Sequence, residues 1–287
     1  MSESADVSAL TTGLAEVRRQ LATEVKIRQA LIKPLDQAQR ALKDAHQNAV
    51  ALHEAAALLE QPAEELSLPN HYNKLVKQVR GIADENLAEL EFTFARDLRE
   101  AFDAIGIKLD GPPDTLIAEL FVIKPDLRKK QVTMTFSRQP VTKPVKLDVE
   151  KVVSEYQKAR KDICERKVDY KELLAELFEA HVRVVKLQDK PLGFRTGIVD
   201  VFRELVIVRQ PLGFRRDPNK GRFVDYPKTH FAYDILQLRQ SKKLEHDGYR
   251  LNLGTATIDT TSDSAKAMFL ASGANEGAFI KDLYFAK

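Results

Sequence analysis

Cysteine is almost missing from this chain. Cys164 stands alone among 287 residues, so no intramolecular disulfide can form and a cysteine-rich zinc site is excluded. That usage points to a reducing, cytoplasmic location. Long apolar runs are missing as well. No uncharged stretch approaches the roughly 18 residues of a membrane-spanning helix. The opening residues, MSESADVSAL, have neither the basic region nor the apolar core of a secretory signal. Glycine and proline number only 12 each, and 44% of residues are apolar, which argues against broad disorder. The net charge of +3 is too small to signal nucleic acid by itself, so any such signal must come from local clustering.

The familiar catalytic patterns are missing too. There is no GxxxxGK[ST] phosphate loop, no GxGxxG fingerprint, no HExxH and no GxSxG elbow. The nearest glycine-rich piece, residues 272–277, has the wrong spacing. Cys164 has no placeable base or electropositive neighbour, as a nucleophile would need. His230 and Asp234 are four apart on an expected helix, but no second spaced pair completes a metal site. His46 and His53 read as flanking positions of a helical bundle, and His181 as a core-edge histidine. No catalytic residue, no metal and no cofactor is assigned.

What is present is helical periodicity. Val7, Leu10, Leu14, Val17 and Leu21 step by 3, 4, 3, 4. After a break near Lys33–Pro34 the stepping resumes through Leu35, Ala38, Leu42, Ala45, Ala49, Leu52, Ala56 and Leu59. Such a seam marks a coiled coil or a long bundle helix. A hairpin broken at Pro34 is expected, with one long kinked helix as the alternative. A break follows over residues 61–69. Asn70 then caps a third helix that runs to Ile105 and stops at Gly106.

Beyond the turn at residues 111–113, Leu116–Ile123 reads as a buried strand and residues 124–130 as a hairpin turn. Val132, Met134 and Phe136 alternate with polar residues as a half-buried strand does. Pro140 and Pro144 restrict residues 141–147 to an edge. Asp148 and Asp169 cap two further helices, to about Arg166 and Leu187. Residues 229–240 read as a helix, residues 249–258 as an extended segment, Ser262 or Asp263 as a cap, and residues 278–285 as a strand. The expected class is α+β, predominantly helical. It has an amino-terminal helical hairpin over 1–69, a helix, small antiparallel sheet and further helices over 70–190, and a mixed, basic α+β segment over 191–287 that would suit a winged-helix-like module.

The pentapeptide Pro-Leu-Gly-Phe-Arg occurs twice, at Pro191–Arg195 and Pro211–Arg215, on either side of the apolar run Ile198–Val208. Each copy reads as a tight turn whose Leu and Phe anchor into the core. Residues 186–228 hold ten Lys or Arg against five acids, interleaved with Phe and Tyr, as a nucleic-acid groove does. Arg195, Arg209, Arg215, Arg216, Lys220 and Arg222 are the candidate nucleic-acid contacts. Leu10, Leu14, Val17, Leu21, Leu42, Leu52 and Leu59 are the candidate partner contacts. Together these features suggest a non-enzymatic accessory or adaptor subunit. It would pair with itself or a protein partner through the amino-terminal helices, and meet DNA or RNA through the basic segment. Two alternatives stand beside it. One is a metal-dependent nuclease using Asp200, Glu204, Asp225, His230 and Asp234. The other is a purely structural bundle.

Overall fold

Asp148 and Asp169 start their helices by the means expected of them. Asp148 accepts the backbone N–H of Lys151 at 3.0 Å and opens α4, Val149–Cys164. Asp169 accepts those of Lys171 and Glu172 at 2.8 and 3.1 Å and opens α5, Tyr170–Leu187. Each carboxylate satisfies N–H groups that have no partner inside the helix. The computed structural model describes residues 3–60, 71–257, 265–273 and 276–287, with backbone alone for 3–11. The break at 61–69, the Asn70 cap, the Ser262 or Asp263 cap and the side chains of Val7 and Leu10 lie outside the described residues. The chain is a predominantly helical α+β protein, with eight α-helices and two antiparallel sheets among the described residues. No described helix is long and apolar enough to cross a membrane. The chain divides into two units. The first comprises residues 1–96 and 127–129, and the second residues 97–126 and 130–287.

In the first unit, α1 runs from Glu3 to Ala41 straight through Pro34. The break expected at Lys33–Pro34 is therefore displaced: the chain turns at residues 42–48, and α2 (Ala49–Glu60) packs back on α1. A mid-helix proline costs about 3 kcal/mol in lost hydrogen bonding and crowding. Leu31, Pro34, Ala38 and Ala41 form one buried face through that point, and its packing offsets the loss. The third helix, α3 (Tyr72–Asp103), contributes Tyr72, Val76 and Ala83 to this core. The Tyr72 hydroxyl donates to the Leu59 carbonyl at 2.9 Å. His53 of α2 is buried, not flanking. Its Nε2 lies 3.2 Å from an Arg128 donor and 3.3 Å from Asp84 Oδ1.

In the second unit, β1 (Leu109–Asp110), β2 (Leu116–Ala118), β3 (Phe121–Asp126), β4 (Gln131–Phe136) and β5 (Gln139–Pro140) form an antiparallel meander, with β6 (Val145–Lys146) also on β4. The single strand expected over 116–123 is instead two strands joined at Glu119, whose φ of 51° lies in the left-handed region. Partners distant in sequence hold it there. Its carboxylate accepts from the Tyr156 hydroxyl at 2.9 Å and from Arg160 Nε at 2.8 Å, both on α4. Phe102, Phe121 and Tyr156 pack ring against ring beneath.

The second sheet joins β10 (Met268–Ala271), β11 (Gly277–Ala286), β9 (Tyr249–Thr255) and β8 (Glu245–His246) in that order, with β7 (Thr196–Gly197) also on β11. It is packed by α5 and α6 (Ile198–Val208), with Phe178 against Phe285 at 5.1 Å. Helix α8 (Lys228–Ser241) packs on α6 through Phe202 and Phe231.

Candidate interaction sites

Helix α1 carries two apolar faces. At about 100° per residue, Ile27, Leu31 and Ala38 share one side and enter the core of the first unit. Leu14, Val17, Leu21, Val25, Ile32 and Leu35 share another, roughly a third of a turn away, and all six are exposed. Leu14 is 71% exposed and Leu21 56%. The expected seam thus separates into two parts. Leu52 and Leu59 are buried in the unit's own core, and Leu42 is exposed at the turn. Leu14, Val17 and Leu21 stay open. Val25, Ile32 and Leu35 extend the open stripe past Pro34, and heptad spacing alone did not single out Val25 or Ile32. The signal was the eleven-residue recurrence from Leu14 to Val25 and from Leu21 to Ile32, which keeps pace with a straight helix. The same stretch carries Glu16 bound to Arg19 and Glu24 bound to Arg28, each at 2.7 Å.

The second site begins at the end of α6. Gln210 is buried and its amide is used in full. Nε2 donates to the Val224 carbonyl at 2.9 Å and to the Val206 carbonyl at 2.7 Å, and Oε1 accepts the Val224 N–H at 2.8 Å. One side chain therefore holds both ends of the segment 210–224, which makes it a closed surface loop. Within it, Phe214 meets Phe223 edge to face at 5.5 Å. Arg222 pairs with Asp217 at 2.9 Å and donates to the Gly213 carbonyl at 3.3 Å. Asn219 caps a short 3-10 turn through the Gly221 N–H at 3.1 Å.

Beneath the loop lies a buried ionic cluster. Asp234 of α8 has no exposure at all. Its Oδ1 accepts from Arg166 Nη2 at 2.5 Å and its Oδ2 from the Tyr226 hydroxyl at 2.7 Å. Arg209 Nη1 stands 3.8 Å from Oδ2, its Nε 3.4 Å from Glu176, and its guanidinium 4.3 Å over the Tyr226 ring. Burial and the Asp234 charge push the Tyr226 phenol far above its ordinary range. Burial raises Glu176, against the pull of Arg209. Arg209 and Tyr226 flank the loop, so the cluster fixes its base from both sides.

The six cations expected to line a groove now have addresses. Arg209 is in the buried cluster. Arg215 donates to the Val208 carbonyl, and Arg222 is paired inside the loop. Arg195 is exposed, with its guanidinium 5.2 Å from the Tyr284 ring. Arg216 and Lys220 are exposed and form no ion pair among the described residues. Of the acids proposed for a nuclease, Asp234 is neutralised by arginine and Asp200 pairs with Arg203 at 3.4 Å. His230 pairs with Asp162 at 3.0 Å. No group of three His, Cys, Asp or Glu able to hold a metal occurs among the described residues. Burial pushes the Cys164 thiol up to about 11.

The two pentapeptide copies differ in conformation. In the first, the Phe194 N–H returns to the Pro191 carbonyl at 3.1 Å and Gly193 takes φ 99°, as a type II turn requires. The second forms a short helix, α7 (Leu212–Arg216). The expectation that Leu and Phe anchor into the core is corrected in both: Leu192, Phe194 and Leu212 are exposed, and Phe214 packs on Phe223 within the loop. Contacts at the carboxy-terminal end of each copy decide its shape. Thr196 pairs with Leu283 on β11 and draws the first copy out. Arg215 reaches back to Val208 and closes the second.

Comparison with protein-family models, curated proteins and solved structures finds no significant match.

Proposed function

We propose that the protein is a non-enzymatic accessory or adaptor subunit of a multi-protein complex. One contact is made by the uncovered face of α1, the other by the basic segment 186–228. The observation that carries this reading is the second apolar face of α1. A stripe of Leu, Val and Ile left in water along a helix loses the stabilisation of burial, about 1.5–3 kcal/mol for each such side chain. Contiguous exposed apolar surface of this kind marks interaction sites. The stripe has the helical spacing by which helix-in-groove partners are read. For the basic segment, Arg195, Arg216 and Lys220 are the cations left to meet a second partner, nucleic acid or protein, since Arg209 lies in the buried cluster and Arg215 and Arg222 are bonded to groups of the chain itself.

The test uses the full chain, purified from its native cells. A partner identified by mass spectrometry should be retained by the wild type and lost from Leu14→Glu/Leu21→Glu, with circular-dichroism melting unchanged in the double variant. Retention of the same partner by the double variant, or a wild-type chain that is monomeric and alone, overturns the reading.

A further inference from the structure

The geometry points to an acidic peptide bearing apolar side chains as what the loop 210–224 binds. This rests on the adaptor reading and names the partner of its second contact. The loop is fixed far more firmly than its own packing demands. Nearly all of residues 211–225 face solvent, and ordering each backbone unit costs about 1–2 kcal/mol. Yet both ends are latched by Gln210, and the base is held by Arg209, Tyr226 and the buried Asp234. A loop ordered in advance loses less entropy on binding, which raises affinity without new contacts.

Its display is specific in chemistry. Leu212 is 67% exposed and Val224 55%, and Phe223 is also exposed. Arg216 and Lys220 stand in the same loop and form no ion pair among the described residues, while Arg222 and Asp217 pair with each other. A short segment with carboxylates beside Leu or Phe complements both halves of this display. A nucleic-acid strand complements only one. Each neutralised phosphate adds about one to the salt slope, and two free cations give a weak footprint. Base stacking needs open aromatic faces, whereas Phe223 is packed on Phe214 and its exposed neighbours Leu212 and Val224 are aliphatic.

The experiment screens the full-length protein against a displayed library of random short peptides, and in parallel against labelled oligothymidylate and oligouridylate. Enriched peptides should combine Asp or Glu with Leu or Phe. Synthetic copies should bind at least about tenfold more weakly to Arg216→Glu/Lys220→Glu and to Leu212→Asp/Val224→Asp. The affinity should be unaltered in Leu14→Glu/Leu21→Glu, which separates this proposal from the α1 reading. All these positions are exposed, and melting curves check that each variant folds. Enrichment without acidic bias, binding indifferent to the loop variants, or loop-dependent binding of an oligonucleotide tighter than any peptide overturns the proposal.

Discussion

The Tyr226 hydroxyl donates to the fully buried carboxylate of Asp234 at 2.7 Å, so the chain segment just past the 210–224 loop is pinned to α8. Arg166 holds the other oxygen at 2.5 Å and Arg209 lies near the first. Removing one partner from a buried ion pair leaves the other charge unpaired and costs about 3–5 kcal/mol. Asp234→Ala leaves Arg166 without its carboxylate and Arg209 with Glu176 alone, and should lose about that much, lowering the melting temperature by several degrees. Urea unfolding of both forms measures it. A loss below about 1 kcal/mol would show that the cluster is solvated in solution.

Gln210 latches the loop through its amide, so Gln210→Ala should unlatch it, and Gln210→Met, which keeps most of the buried volume, should unlatch it equally. The Val224 N–H and carbonyl lose their side-chain partner, at about 0.5–1.5 kcal/mol for each hydrogen bond. The local consequence should exceed the global one, because loops open below the free energy of global unfolding. Trypsin should cleave after Arg216 or Lys220 faster in the variant, at concentrations that leave the wild type intact. Equal cleavage rates would mean that the latch does not hold the loop.

His181 predicts a pH dependence. It is fully buried, and Nδ1 lies 3.1 Å from the Thr196 hydroxyl, which itself donates to the Leu283 carbonyl at 2.6 Å. Toward His181 the hydroxyl can therefore only accept, which places the proton on Nδ1. Burial lowers the imidazole to about 4. An unfolded histidine titrates near 6.5. Between those values the unfolded chain binds the proton and the folded chain does not. Stability is thus fully present above about pH 6.5 and falls as the pH drops toward 4. The loss should be about 1–3 kcal/mol. Urea midpoints at pH 7 and pH 5 should separate more for the wild type than for His181→Leu, and equal separations would assign the acid sensitivity elsewhere.

Glu119 combines a strained backbone with a useful side chain. Left-handed φ costs a non-glycine residue about 1–2 kcal/mol, and here Tyr156 and Arg160 offset it. The Arg160 guanidinium holds the carboxyl below its usual range. Glu119→Ala loses the two partners and keeps the strain, whereas Glu119→Gly loses the partners and relieves it. Both should destabilise, with glycine the milder by about 1 kcal/mol. The reverse order would mean that the turn is relaxed.

Local chemistry was legible in the sequence wherever a residue acts on its own neighbours. Asp148 and Asp169 cap their helices because an aspartate reaches the next turn's N–H groups whatever else folds. Gly106 ends α3 with φ 76° for a like reason. The alternation over 131–136 gave β4 directly. What failed depended on distant partners. Residues 116–123 read as one strand because Tyr156 and Arg160, which hold Glu119 in a turn, are distant in sequence. Pro34 read as a break because its burial is invisible locally. Two identical pentapeptides could not be told apart, since Thr196 and Arg215 decide their shapes through partners distant from the motif. The Asp234 cluster draws on Arg166, Arg209 and Tyr226, which no short motif unites.

The 3-4 spacing also assigned one role to leucines that have two. Leu21 and Leu52 belong to the same expected seam, but Leu21 is 56% exposed and Leu52 is wholly buried. Leu52→Ala should cost about 2–5 kcal/mol through lost contacts and the cavity left behind. Leu21→Ala removes a side chain that touches mainly water and should change stability by less than about 0.5 kcal/mol. In a concentrated sample the order changes meaning. If α1 pairs with a second copy, Leu21→Ala should lower the apparent melting temperature only at high protein concentration, because association stabilises by mass action. Melting both variants across a hundredfold range of concentration therefore reads two quantities at once. A cost for Leu21→Ala equal to that for Leu52→Ala at low concentration would mean that the outer face of α1 is covered within a single chain.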